Sequence, residues 1–146
     1  MNRMLRVIAI SVVMVAPAFA HVTVQPKQSM PGATENYVLR VPTEKFVPTV
    51  RVEVEFPANL NVSGFEFKTG WKIETKRNGS GRIIRVILNG SLGPAESTQF
   101  HFTARNPVTE GKLVFKAIQT YEDGTKSEWT GAEGSRTPAP VVELKK

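Results

Sequence analysis

Val50-Arg51-Val52-Glu53-Val54-Glu55-Phe56 alternates apolar and charged residues without a break. A period of two puts the three valines and Phe56 on one face of an extended chain and the charges on the other, which describes a half-buried strand. Working outward, Tyr37, Leu39 and Val41 form a second such face, and Phe100, Phe102 and Ala104 a third. Residues 70–76 and 82–88 flank Asn78-Gly79-Ser80-Gly81, a strong hairpin signal. Residues 113–121 and 125–129 flank Glu122-Asp123-Gly124, a second hairpin. Pro31-Gly32, Pro42, Pro57, Gly93-Pro94, Asn106-Pro107 and Pro138 to Pro140 punctuate the rest. No window after residue 20 shows a 3.6-residue period. The expectation is an all-β chain, an antiparallel β-sandwich of seven to nine strands, immunoglobulin-like or cupredoxin-like in outline.

Residues 1–20 read differently. Met1 to Arg6 carries two arginines and no acid, Val7 to Val15 is an apolar run, and Pro17 is followed by Ala18-Phe19-Ala20. That is the charged, apolar and small-x-small order of a cleavable signal peptide. The apolar run is too short to span about 30 Å of hydrocarbon comfortably. No cysteine follows the expected cleavage point, so a lipid anchor is not expected. The reading is 1–20 signal peptide and 21–146 one domain, periplasmic or secreted and without a membrane anchor.

The remaining residues carry seventeen Lys+Arg against thirteen Asp+Glu, a net charge of +4. Fourteen valines against six leucines and seven alanines favour strands over helices. The charge is spread along the chain without a like-charge block, which points away from a nucleic-acid partner. Absence of cysteine removes disulfides, thiolate metal sites and cysteine nucleophiles. There is no HExxH motif and no phosphate loop.

Cleavage after Ala20 makes His21 the first mature residue, although the chain has only two histidines. A free α-amine and the ring Nδ1 of one histidine can close a six-membered chelate around a metal ion. An α-amine with a pKa of about 8 yields its proton to a Lewis-acidic metal near neutral pH. Two nitrogens in a tetragonal arrangement suit Cu(II), which also tops the affinity order of divalent ions. One methionine (Met30) and no cysteine make a soft Cu(I) site poorly supplied.

Two nitrogens need a third ligand. Glu35 shares its face with Tyr37, Leu39 and Val41, so its carboxylate is aimed at or near the core side, where it needs a partner. A solvated strand start is the other reading of Glu35, and pattern alone leaves the two open. His101, between Phe100 and Phe102, points to the wetter face of its strand and is left out of the site. Trp71 reads as core.

His21-Val22-Thr23-Val24 with Pro26, then Pro31 to Tyr37 and Val41-Pro42, resembles the start of the YcnI-like copper-binding domain family. Gly70 to Thr75, Phe102 with Ala104 to Pro107, and Tyr121 to Gly131 including Glu128-Trp129-Thr130-Gly131 are similar to its later blocks. The resemblance covers residues 21 to 137. It implies an exported β-sandwich that holds one Cu(II) ion per chain by a mono-histidine brace. Its ligands, carried over by position, are His21 (amine and imidazole) and Glu35, with Trp129 beside the copper. From the residues alone core packing is the favoured reading of Trp129, since aromatics in strands usually pack.

The function expected is copper trafficking or homeostasis outside the cytoplasm, not catalysis. The partners implied are the copper ion and other exported copper-handling proteins. Two readings stand beside it. One is a metal-independent sandwich that binds a protein partner. The other is an oxidative copper enzyme, which needs a second histidine that His101, facing away, does not supply.

Overall fold

In the computed structural model, which describes residues 21–146, the regular elements are all strands. They are β1 (Thr23–Gln25), β2 (Gln28–Ser29), β3 (Thr34–Pro42), β4 (Thr49–Glu55), β5 (Asn61–Phe65) and β6 (Lys72–Arg77). There follow β7 (Ile83–Leu92), β8 (Ser97–Arg105), β9 (Gly111–Val114), β10 (Lys116–Tyr121), β11 (Lys126–Trp129) and β12 (Val141–Leu144). The signal-peptide reading of residues 1–20 lies outside the described residues.

The ladder runs β1-β3-β8-β5-β7-β4-β10-β11, with β6 on the other edge of β7. Its weak point is the β5–β7 join, a single residue pair, Val62↔Ile83. There the sheet curls, giving one layer of β1, β3, β8 and β5 and another of β6, β7, β4, β10 and β11. A three-stranded sheet, β2-β12-β9, accompanies them. The sandwich is antiparallel except where β2 runs parallel to β12.

Parity places the core as expected on β3 and β8. Tyr37, Leu39, Val41, Phe100, Phe102 and Ala104 are all buried. Rings of Tyr37, Phe56, Phe65, Phe102 and Phe115 pack with centroids 5.1 to 6.4 Å apart. Both expected hairpins form. Asn78 Oδ1 accepts from the backbone N–H groups of Ser80 and Arg82 at 3.1 and 3.0 Å, and Asp123 Oδ1 accepts from that of Thr125 at 3.0 Å.

Three details differ from the sequence reading. The strand count is twelve, because two- to four-residue strands such as β1, β2, β9 and β12 are too short to show a period. The run 113–121 is not one strand. It changes sheets at Phe115, whose N–H donates to Pro140 O at 2.9 Å, while its burial parity continues unbroken. At the start of β4 a register shift between Thr49 and Arg51 makes Thr49, not Val50, the buried residue.

Candidate functional site

His21 sits at the outer edge of one layer, two residues before β1. Val22 and Val24, buried in the core, anchor it. Its half-buried ring faces Trp129 of β11, the last strand of the other layer, with centroids 5.4 Å apart and planes tilted by 55°. The curl of the ladder therefore brings its two ends together at this ring pair. A cleft of about 320 Å³ opens beside His21, lined also by Lys27, Glu133 and Pro138. Burial holds the Lys27 ammonium below its ordinary pKa.

Trp129 is 1% exposed and packed in the core, as the core reading of it expects. Its Nε1–H donates to Gln119 Oε1 at 3.1 Å. Gln119 Nε2 donates to Pro42 O and to Thr49 Oγ1, both at 2.7 Å. Thr49 and Thr43 share a hydroxyl contact at 2.8 Å, and Thr43 Oγ1 donates to Leu92 O at 3.2 Å. The indole that faces His21 is thus tied to Pro42, at the C-terminal end of β3.

Glu35 lies at the opposite end of that strand. β1 pairs with β3 as Thr23↔Arg40 and Gln25↔Val38, so the chain before Thr23 runs toward Pro42 and away from Glu35. From Glu35 to Pro42 is seven residues, roughly 23 Å of strand. Two side chains cannot close that gap around one ion, so Glu35 and His21 do not form the expected pair. The parity argument identified the face of β3 correctly and said nothing of position along it.

The Glu35 carboxylate has protein partners where it is. Ser29 Oγ donates to Oε2 at 2.7 Å and the Asn36 N–H to Oε1 at 3.2 Å. Ser29 Oγ accepts from Asn106 Nδ2 at 2.9 Å, and Asn106 Oδ1 accepts from the buried Tyr37 hydroxyl at 2.6 Å. Asn106 Nδ2 also donates to Met30 O at 2.9 Å, so the sole methionine after residue 20 belongs to this far end too. Burial, foremost, raises the Tyr37 pKa above the ordinary phenol value.

Sequence reasoning missed two residues at the Pro42 end of β3. Glu44 is the first carboxylate past Pro42, and its side chain is exposed. Gln119 is fully buried in the parity run Leu113, Phe115, Ala117, Gln119, Tyr121. A lone amide in an otherwise hydrophobic face is the signal that could have found it. Glu133, the acid lining the His21 cleft, is held by Lys112 at 3.2 Å. His101 is exposed, as its parity requires, and Trp71 packs its ring 5.0 Å from that of Phe100.

An edge-to-edge sandwich with a histidine at the head of the first strand defines the class, and comparison gives the family. Residues 21–144 match the family described as "Domain of unknown function (DUF1775)". The chain belongs to this family, that of the YcnI-like domains. It is 34% identical over 131 residues to copper-binding protein CutI of Bacillus subtilis (strain 168), covering 88% of this chain and 64% of that protein. The chain thus spans under two thirds of this relative's length. A Nocardia farcinica protein of immunoglobulin-like fold superposes with a TM-score of 0.76 at 26% identity, over 88% of this chain and all of that one. A cohesin module from Clostridium perfringens shares the fold alone, with a TM-score of 0.53 at 14% identity over 87% of this chain and 97% of that one.

Proposed function

We propose that this chain is an exported protein that binds one Cu(II) ion and takes part in copper trafficking or homeostasis. The amine and imidazole of a processed His21 supply two nitrogens, Glu44 supplies the carboxylate, and Trp129 shields the ion. The observation that carries the reading is the tilted ring contact between His21 and Trp129 at the meeting edges of the sandwich. Family membership and the name of the Bacillus relative support copper as the metal.

The donor chemistry fits Cu(II). Two nitrogens and a carboxylate oxygen form a borderline-to-hard set, and the sulfur of Met30 belongs to a residue at the other end of β3. Glu44 replaces Glu35 in this scheme because it follows the strand end that lies toward His21, and because Glu133 is already paired with Lys112. A half-buried histidine and an exposed carboxylate as ligands would leave the ion accessible for exchange, which favours transfer over storage.

The test compares Cu(II) titrations of protein beginning at His21 and of the same protein carrying one extra N-terminal residue. The extra residue turns the amine into an amide, and high-affinity binding should vanish. Equal affinity for the two forms would eliminate the amine as a ligand. His21→Ala should abolish tight binding as well; a metal-independent interaction module predicts no change.

A further inference from the structure

We infer that Gln119 is a positioning residue for this copper site, setting the plane of the Trp129 indole against His21; the inference rests on the copper reading above. The orientation of its amide follows from chemistry. Indole Nε1–H can only donate and Pro42 O can only accept, so Oε1 must face Trp129 and Nε2 must face Pro42. The remaining amide hydrogen goes to Thr49 Oγ1. Leu92 O, also only an acceptor, takes the Thr43 hydroxyl hydrogen, so Thr49 must donate to Thr43. The result is a one-way relay from Trp129 through Gln119, Thr49 and Thr43 to the backbone of β7. No flip of the amide and no rotation of either hydroxyl preserves it.

Gln119 is bonded to Trp129 Nε1, Pro42 O and Thr49 Oγ1. It acts through the indole, and it ties that indole to the end of β3 from which Glu44 follows. An apolar side chain of the same length would fill the space and leave the indole N–H without its acceptor. The ring could then tilt or slide on His21. Partners that bond a metal ligand directly change affinity by about 10- to 100-fold, and Gln119, acting one step further out through the indole, belongs at the lower end of that range.

The experiment uses protein beginning at His21, and reads the Cu(II) electron paramagnetic resonance spectrum and the affinity by chelator competition. Gln119→Met should fold, shift the spectrum and weaken binding by about tenfold. Gln119→Glu, as the neutral acid that burial favours, keeps an acceptor for Trp129 Nε1 and a donor for Pro42 O, and should stay close to the parent spectrum. In a Trp129→Phe background Gln119→Met should add little further change, because its lever is gone. A parent-like spectrum and affinity for folded Gln119→Met overturns the assignment, as does an undiminished effect in the Trp129→Phe background. Should Gln119→Met fail to fold, a Gln119→Glu spectrum displaced as far as that of Trp129→Phe overturns it instead. Failure of the parent to bind copper, or binding by His21→Ala as tight as the parent's, sinks the copper reading itself and is recognised before any Gln119 variant is compared.

Discussion

Glu35 and Glu44 are both carboxylates on or just past β3, and their surroundings assign them different work. Glu35 is the acceptor at the end of a chain running Tyr37 to Asn106 to Ser29, which joins β2, β3 and the turn after β8. Glu44 is exposed past the other end of the strand. Glu44→Gln should weaken Cu(II) binding by about tenfold or more, since a neutral amide oxygen is a poorer donor and charge dominates the exchange. Glu35→Gln should leave copper affinity unchanged and lower stability by roughly 1 kcal/mol, measured by urea unfolding. The opposite pattern would return Glu35 to the site. Tyr37 adds a pH dependence at the same end. Its pKa is raised on folding by burial, so the neutral phenol favours the native state, and that contribution is complete below the unfolded value of about 10. Stability should therefore fall as pH rises past 10 toward the folded pKa. Tyr37→Phe should cost roughly 1–2 kcal/mol at neutral pH and flatten the alkaline decline.

At the scale of strands, the legible features were those carried by period and by turn chemistry. The faces of β3, β4 and β8 and both hairpins follow from alternation and from Asn-Gly and Asp-Gly, which act locally. What escaped is non-local. The register of β1 on β3 decides which carboxylate lies toward His21, and a three-residue strand has too few positions to announce its pairing. The bulge that exchanges Val50 for Thr49 escaped for a related reason. Thr49 is buried because Gln119 and Thr43 bond it, and those partners lie on other elements. Close packing between elements gives a further test at Gly90 on β7. A Cβ there would come within 2.4 to 2.8 Å of the Trp71 ring, which is bonded covalently to the start of β6 and wedged against Phe100. Gly90→Ala should cost roughly 1–3 kcal/mol by overpacking, read from the denaturant midpoint. Gly64→Ala, where a Cβ meets nothing within 4 Å, is the control and should move the midpoint far less.

Across the whole molecule, the curl of one ladder places the two tryptophans at very different distances from the proposed ion. Trp129 stands on β11 in ring contact with His21, whereas Trp71 lies over Gly90 of β7. Strand β7 is three places from β11 through β4 and β10, roughly 14 Å in a layer with 4.8 Å spacing. Paramagnetic Cu(II) quenches indole emission with a steep distance dependence, so the two residues should respond unequally to one equivalent of the ion. Trp71→Phe protein, emitting from Trp129 alone, should lose most of its fluorescence on titration, with an end point at one ion per chain. Trp129→Phe protein, emitting from Trp71 alone, should lose a much smaller fraction at the same end point. Acidification should restore emission in the first protein, because protons compete with copper for the amine and imidazole. The stoichiometry in the two proteins should agree, since an indole N–H is a donor only and Trp129 is no ligand. Equal quenching of the two single-tryptophan proteins would put the ion midway across the sandwich, away from the edge where β1 and β11 meet, and would exclude His21 as its anchor.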